Sequence, residues 1–194
     1  MNAPLTLSDL PSVEDYAKTR DTFRAQVIAA KKSRQVRIGE NVTLLFENRD
    51  TVLYQVLEML RIEKTADPAA IQDELDAYNP LIPAGSDWRA TMLVEFPDAE
   101  ERRVQLKYLR AVEHAVYARI GERRLAVLAD EDMERSDEEK TSAVHFLRFT
   151  LDAQDKAELR AGAALAFGIE HPRYRYETEV LDAGARDSLL RDLD

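Results

Sequence analysis

The residues best suited to chemistry in this chain lie between positions 47 and 61. Glu47, Asn48 and Arg49 are consecutive, and Gln55, Glu58 and Arg61 follow at steps of three. On a helix, such steps line polar side chains along one stripe. Glu58 and Arg61 can form a surface pair worth about 0.2–0.5 kcal/mol. The same guanidinium, with a positioned carboxylate beside it, can instead meet a ligand or a partner through its fork of donors. His145 joins the set from a distance. In SAVHFLRF it alternates with Val144 and Phe146, so on a strand it takes the face opposite to both. A pocket combining Glu47, Arg49, Glu58, Arg61 and His145 would suit an enzyme or a small-ligand binder. A flat polar stripe would suit a protein partner.

Other chemistries find no support in the residues. Cysteine is absent, which removes disulfides, a thiol nucleophile and thiolate metal sites. The six glycines form neither G-x-G-x-x-G nor a phosphate-binding loop, and no G-x-S-x-G elbow occurs. His114, His145 and His171 make no i,i+4 pair, and no E-x-x-H step is present, so neither a metal nor a bound cofactor is expected. Residues 130–140 hold seven acidic side chains in eleven positions. Asp130, Asp132 and Glu134 imitate the start of a calcium loop. However, Arg135 stands where that loop needs glycine and Thr141 where it needs glutamate, so an exposed acidic connection is expected.

The chain of 194 residues carries a net charge of −10. Residues 18–37 run against that balance, with seven basic residues and Asp21 as the lone acid. Such a patch inside so acidic a chain makes nucleic-acid binding an unfavourable expectation. The N-terminal residues lack the basic and apolar runs of a secretory signal, and the most apolar stretch, 161–169, is too short to span a bilayer. A cytoplasmic protein without membrane contact is expected.

These residues must be positioned by recognisable elements. Val13, Tyr16, Phe23, Val27 and Ala30 recur at helical steps and predict a helix over 13–34, capped by Ser8 or Ser12. Residues 36–46 read as a hairpin turning at Gly39–Asn41. Asp50 or Thr51 caps a helix over 52–64, and Pro68 opens another that ends near Tyr78. The prolines and glycine of 79–85 mark the internal boundary between residues 1–84, helices and hairpin, and residues 85–194. The second part reads β-α-β-β twice, with MLVEFPDA (92–99) matching FLRFTLDA (146–153) and an Asp-Ala opening each helix. The expected fold is α+β, with this tandem duplication building a mostly antiparallel sheet.

Five segments also carry a family resemblance: FENRDTVLYQVLEMLRIEK, DELDAYNPLIP, TMLVEFPDAEERR, EEKTSAVHFLRF and GIEHPRY. In this order they resemble the bacterial family known as domain of unknown function 3501. The matching positions include Phe46 to Thr51, Gln55, Glu58, Met59, Arg61, Tyr78, Asn79, Glu95, His145, Arg148 and His171. The resemblance implies no activity. It implies an accessory, non-catalytic role beside a cytoplasmic iron or iron–sulfur redox module. A rubrerythrin-like protein or an iron–sulfur oxidoreductase would be the partner. On that reading the 47–61 stripe and the acidic 130–140 connection are the contact surfaces.

Overall fold

The computed structural model describes residues 3–129 and 141–194. The acidic connection of 130–140 lies outside the described residues. Helix α1 (Val13–Lys32) starts at Ser12, whose side chain accepts the Asp15 amide, and carries Lys31 and Lys32 at its negative end. Strands β1 (Gln35–Ile38) and β2 (Val42–Phe46) form the expected hairpin. Its turn places Gly39 at φ +66°, where a Cβ would meet the Tyr174 hydroxyl at 2.7 Å.

Helix α2 (Arg49–Glu63) begins earlier than the sequence suggested. Its cap is Asn48, rather than Asp50 or Thr51. The Asn48 side chain accepts the Thr51 amide, and the Thr51 hydroxyl accepts the Asn48 amide, both at 2.9 Å. Helix α3 (Pro68–Tyr78) follows, and a 3-10 turn at Asn79–Leu81 leads into β3 (Asp87–Val94).

The remaining elements are α4 (Ala99–Tyr108), β4 (Val116–Ile120), β5 (Arg123–Ala126), the short β6 (Leu128–Ala129), β7 (Val144–Thr150), α5 (Ala153–Arg160), β8 (Leu165–His171) and β9 (Tyr174–Glu177). The order β-α-β-β therefore occurs twice, and the fold is α+β. A last helix, α6 (Ala183–Leu190), capped by Asp182, was not expected from the sequence.

The strands form two antiparallel sheets instead of one. One has the order β1-β2-β3-β7-β6, the other β5-β4-β8-β9. The reason lies in the crossovers: each helical connection, through α4 and through α5, carries the chain from the first sheet to the second. Each unit thus gives its first strand to one layer and its hairpin to the other. The N-terminal hairpin belongs to the same sheet, because β2 pairs with β3 from Val42↔Val94 to Phe46↔Ala90.

The main core lies between the two sheets. Phe46, Trp88, Phe149 and Phe167 meet there, with Phe46 and Phe167 ring centroids 4.9 Å apart, and the Trp88 indole donates to the Leu189 carbonyl. Arg34 enters this region as a buried cation. It donates to the carbonyls of Phe46, Glu47 and Ser188 and pairs with buried Asp192 near the C-terminus. A second apolar cluster joins Leu5, Val52, Val56, Leu60, Leu75 and Ile82 beneath α2 and α3. Among the described residues, no helix is long and apolar enough to cross a membrane.

Candidate functional site

Sheet parity separates the residues that the sequence grouped together. Residues directly across a ladder point to the same face, and neighbours along a strand to opposite ones. Leu44, Met92 and His145 are in register and face the core between the sheets. Leu45, Thr91 and Phe146 are the adjacent row and face outward, toward α2. Glu47 continues the outward row. Glu47 and His145 therefore lie on opposite faces of one sheet, and the pocket that would have combined them does not form.

His145 is buried in a polar contact of its own. Its Nε2 lies 2.9 Å from the Ser142 carbonyl, which can only accept, so that nitrogen carries the proton. The Thr141 hydroxyl is 3.0 Å away and the Glu113 carboxylate 3.8 Å. His171 is buried, and its Nε2 donates to the Arg110 carbonyl. Among the described residues, no three His, Asp or Glu side chains gather as metal ligands.

The polar stripe on α2 also divides. Glu58 faces α1, which runs antiparallel to α2: Tyr16 and Arg20 meet Glu58, and farther along Phe23 packs on Tyr54. The Glu58 carboxylate accepts from the Tyr16 hydroxyl at 2.7 Å and from two nitrogens of Arg20 at 2.8 Å each. Arg61 adds longer contacts of 3.1 and 3.4 Å. These donors, Arg20 foremost, hold the Glu58 pKa down to about 2. The Tyr16 hydroxyl is pushed up by its burial and by the Glu58 charge. Glu58 is thus a tie between helices, with its side chain 14% exposed, whereas that of Arg61 is 43% exposed. Arg61 borders an apolar groove of about 320 Å³ between the start of α1 and the end of α2.

Asn48 serves as the helix cap. Arg49 straps down the N-terminal segment, pairing with Asp9 at 2.6 Å and donating to the Ala3 carbonyl. Two of the expected residues, Glu47 and Gln55, do converge. They line a cavity of about 240 Å³ between the outer face of the first sheet and the start of α2. Leu45, Val52, Leu81 and Phe146 supply apolar walls, while Lys31 and Tyr78 add polar groups.

The electrostatics of this cavity follow from how it is built. Glu47 is locked by two hydroxyls: Thr51 donates to Oε2 at 2.5 Å and Thr91 to Oε1 at 2.9 Å. Each carboxylate oxygen keeps a second acceptor site. The antiparallel course of α1 brings Lys31, at its end, to the start of α2. Lys31 makes no ion pair with a described residue; its ammonium has only the Tyr54 ring, 6.0 Å from the centroid. The Gln55 amide and the Tyr78 hydroxyl likewise have no described hydrogen-bond partner. A fixed carboxylate therefore shares one cavity with three uncommitted polar groups, one of them charged. This is the arrangement of a binding site: mostly apolar walls and a few placed polar atoms.

A family model described as "Protein of unknown function (DUF3501)" matches residues 4–193. The chain belongs to that family. No protein with a curated description matches it. It is similar to a crystal structure of a novel protein of unknown function from Burkholderia pseudomallei, at 46% identity and a TM-score of 0.93. That match covers 99% of this chain and 100% of the other.

In this DUF3501 member, sequence reasoning missed Lys31, Tyr78, Thr51 and Thr91 as parts of the site. Thr51 stands in the first turn of α2, three residues after the cap Asn48, where its hydroxyl can reach back to Glu47 before the cap. Thr91 needed the β2–β3 register. Lys31 reads in sequence as an ordinary helix-end cation, and only the packing of α1 on α2 aims it at Glu47's cavity.

Proposed function

We propose that the protein is a non-catalytic binder of a small polar molecule, held between α2 and the outer face of the first sheet. One observation carries the reading: Glu47 is fixed by two threonine hydroxyls in a cavity where Lys31, Gln55 and Tyr78 have no hydrogen-bond or ion-pair partner among the described residues. The polar atoms of Lys31, Gln55 and Tyr78 are not buried, so a ligand can meet them by displacing water. A scaffold that fixes one polar group and leaves the others open is pre-organised for binding.

The test is a screen of small polar metabolites by ligand-observed NMR. Gln55→Leu and Tyr78→Phe break no described hydrogen bond, so both variants are expected to fold. They should lose the hits, while Arg61→Ala, at the other groove, should keep them. Hits that bind both variants as well as the wild type would place binding elsewhere and defeat the proposal.

Attachment to an iron or iron–sulfur redox module in the cytoplasm is a separate proposal. It comes from the family resemblance, and no described residue favours it over other partners.

A further inference from the structure

We infer that the ligand of the Glu47 cavity is a small aliphatic amino-carboxylate, a zwitterion with its two charges on one short chain. The inference rests on the binding function proposed above and concerns what kind of molecule fits.

The cavity holds one anion and one cation that are not paired with each other. Glu47 accepts from threonines only, and Lys31 has no carboxylate partner among the described residues. A ligand bearing only a carboxylate would satisfy Lys31 and bring a second negative charge toward Glu47. A ligand bearing only an amine would satisfy Glu47 and leave Lys31 without a counter-charge. Each would exclude water from a charge that it does not pair, and such desolvation opposes binding. A zwitterion satisfies both at once.

The neutral polar groups agree with this orientation. Tyr78 offers a hydroxyl donor and Gln55 an amide, which together with Lys31 can surround a carboxylate. The remaining acceptor sites of Glu47 suit an ammonium, which has three donors in place of a single hydrogen. The apolar walls include Leu45, Val52 and Phe146, suited to methylene groups rather than to hydroxylated carbon. Size sets a further limit. The cavity's volume of about 240 Å³ lies just below the ~300–1,000 Å³ usual for small-molecule sites, which favours a ligand of few atoms.

The experiment is isothermal titration calorimetry on the full-length protein with 4-aminobutyrate and 5-aminopentanoate, against butyrate and butylamine. The amino-carboxylates should bind at least about tenfold more tightly than either singly charged analogue. Lys31→Gln should reduce 4-aminobutyrate to the affinity of butylamine. Glu47→Gln should reduce it to the affinity of butyrate. Lys31 sits at a helix end and makes no ion pair among the described residues, so its variant keeps the inference testable should Glu47→Gln fail to fold.

Equal binding of butyrate or butylamine, indifference to Lys31→Gln, or no amino-carboxylate binding at millimolar concentration would each overturn the ligand class. Amide shift changes in the same protein distinguish the two levels of failure. If other compounds perturb Gln55 and Tyr78 while amino-carboxylates do not, the zwitterion is wrong and the binding function stands. If nothing perturbs those residues, both are wrong.

Discussion

Glu58 offers the most direct test of how the helical layer is held. Its carboxylate is the junction of Tyr16, Arg20 and Arg61, and its pKa falls from 4.5 to about 2 on folding. A group whose folded pKa is lowered adds stability above its unfolded pKa and loses it as pH falls through the folded value. Each pKa unit corresponds to about 1.4 kcal/mol, so the shift sets a ceiling of about 3 kcal/mol. Arg20 and Arg61 are 29% and 43% exposed, and solvent screening brings the expected contribution to about 1–2 kcal/mol. Glu58→Gln should therefore lower the melting temperature by about 3–6 °C at neutral pH. Urea titrations of both proteins at successive pH values should show the gap shrinking below about pH 4.5 and nearly closed by about pH 2. Arg20→Ala should cost at least as much as Glu58→Gln. Arg61→Ala should cost under about 1 kcal/mol, because its contacts are longer and its side chain more exposed. A gap independent of pH, or an Arg61→Ala loss equal to that of Arg20→Ala, would refute the reasoning.

Two further outcomes follow from the packing. Arg34→Met removes the buried guanidinium that pairs with Asp192 and caps three carbonyls, and should destabilise the fold by about 3–5 kcal/mol at neutral pH. Burial raises the Asp192 pKa, so the folded state takes up its proton first; the variant's deficit should shrink as pH falls through that raised value, read by urea titration. Gly39→Ala adds a Cβ at φ +66° within 2.8 Å of the Tyr174 hydroxyl and the Tyr176 ring, and should lower stability by about 1–3 kcal/mol in thermal unfolding.

What the sequence disclosed was local, and what it hid depended on partners far along the chain. Ser12 and Pro68 mark the starts of α1 and α3 because the chemistry of a helix start acts within a few residues. The same chemistry misled at Asn48, whose side chain looked available for binding and instead closes the first turn of α2. Strand alternation placed His145 opposite Val144 and Phe146 correctly. It did not show that Glu47 shares the face of Phe146, since that needs the β2–β3 and β3–β7 registers. The eight-residue α6 went unseen, because a helix that short owes its stability to packing more than to its own pattern.

The division of the polar stripe has a physical cause that bears on function. A lone amphipathic helix has one polar side, but α2 is enclosed on three: by the sheet, by α1 and by α3. Its polar residues must then either find partners on those neighbours or face a gap between them. Glu58 found Arg20 and Tyr16 on α1, and the exchange leaves it no capacity for recognition. Gln55, three residues earlier and toward the sheet, faces a gap that no described side chain fills. The two residues looked equivalent in sequence because both are long, polar and at helical spacing. Their roles separate by what already satisfies each side chain: Glu58 is spent on α1, and Gln55, with no described partner, lines the proposed site.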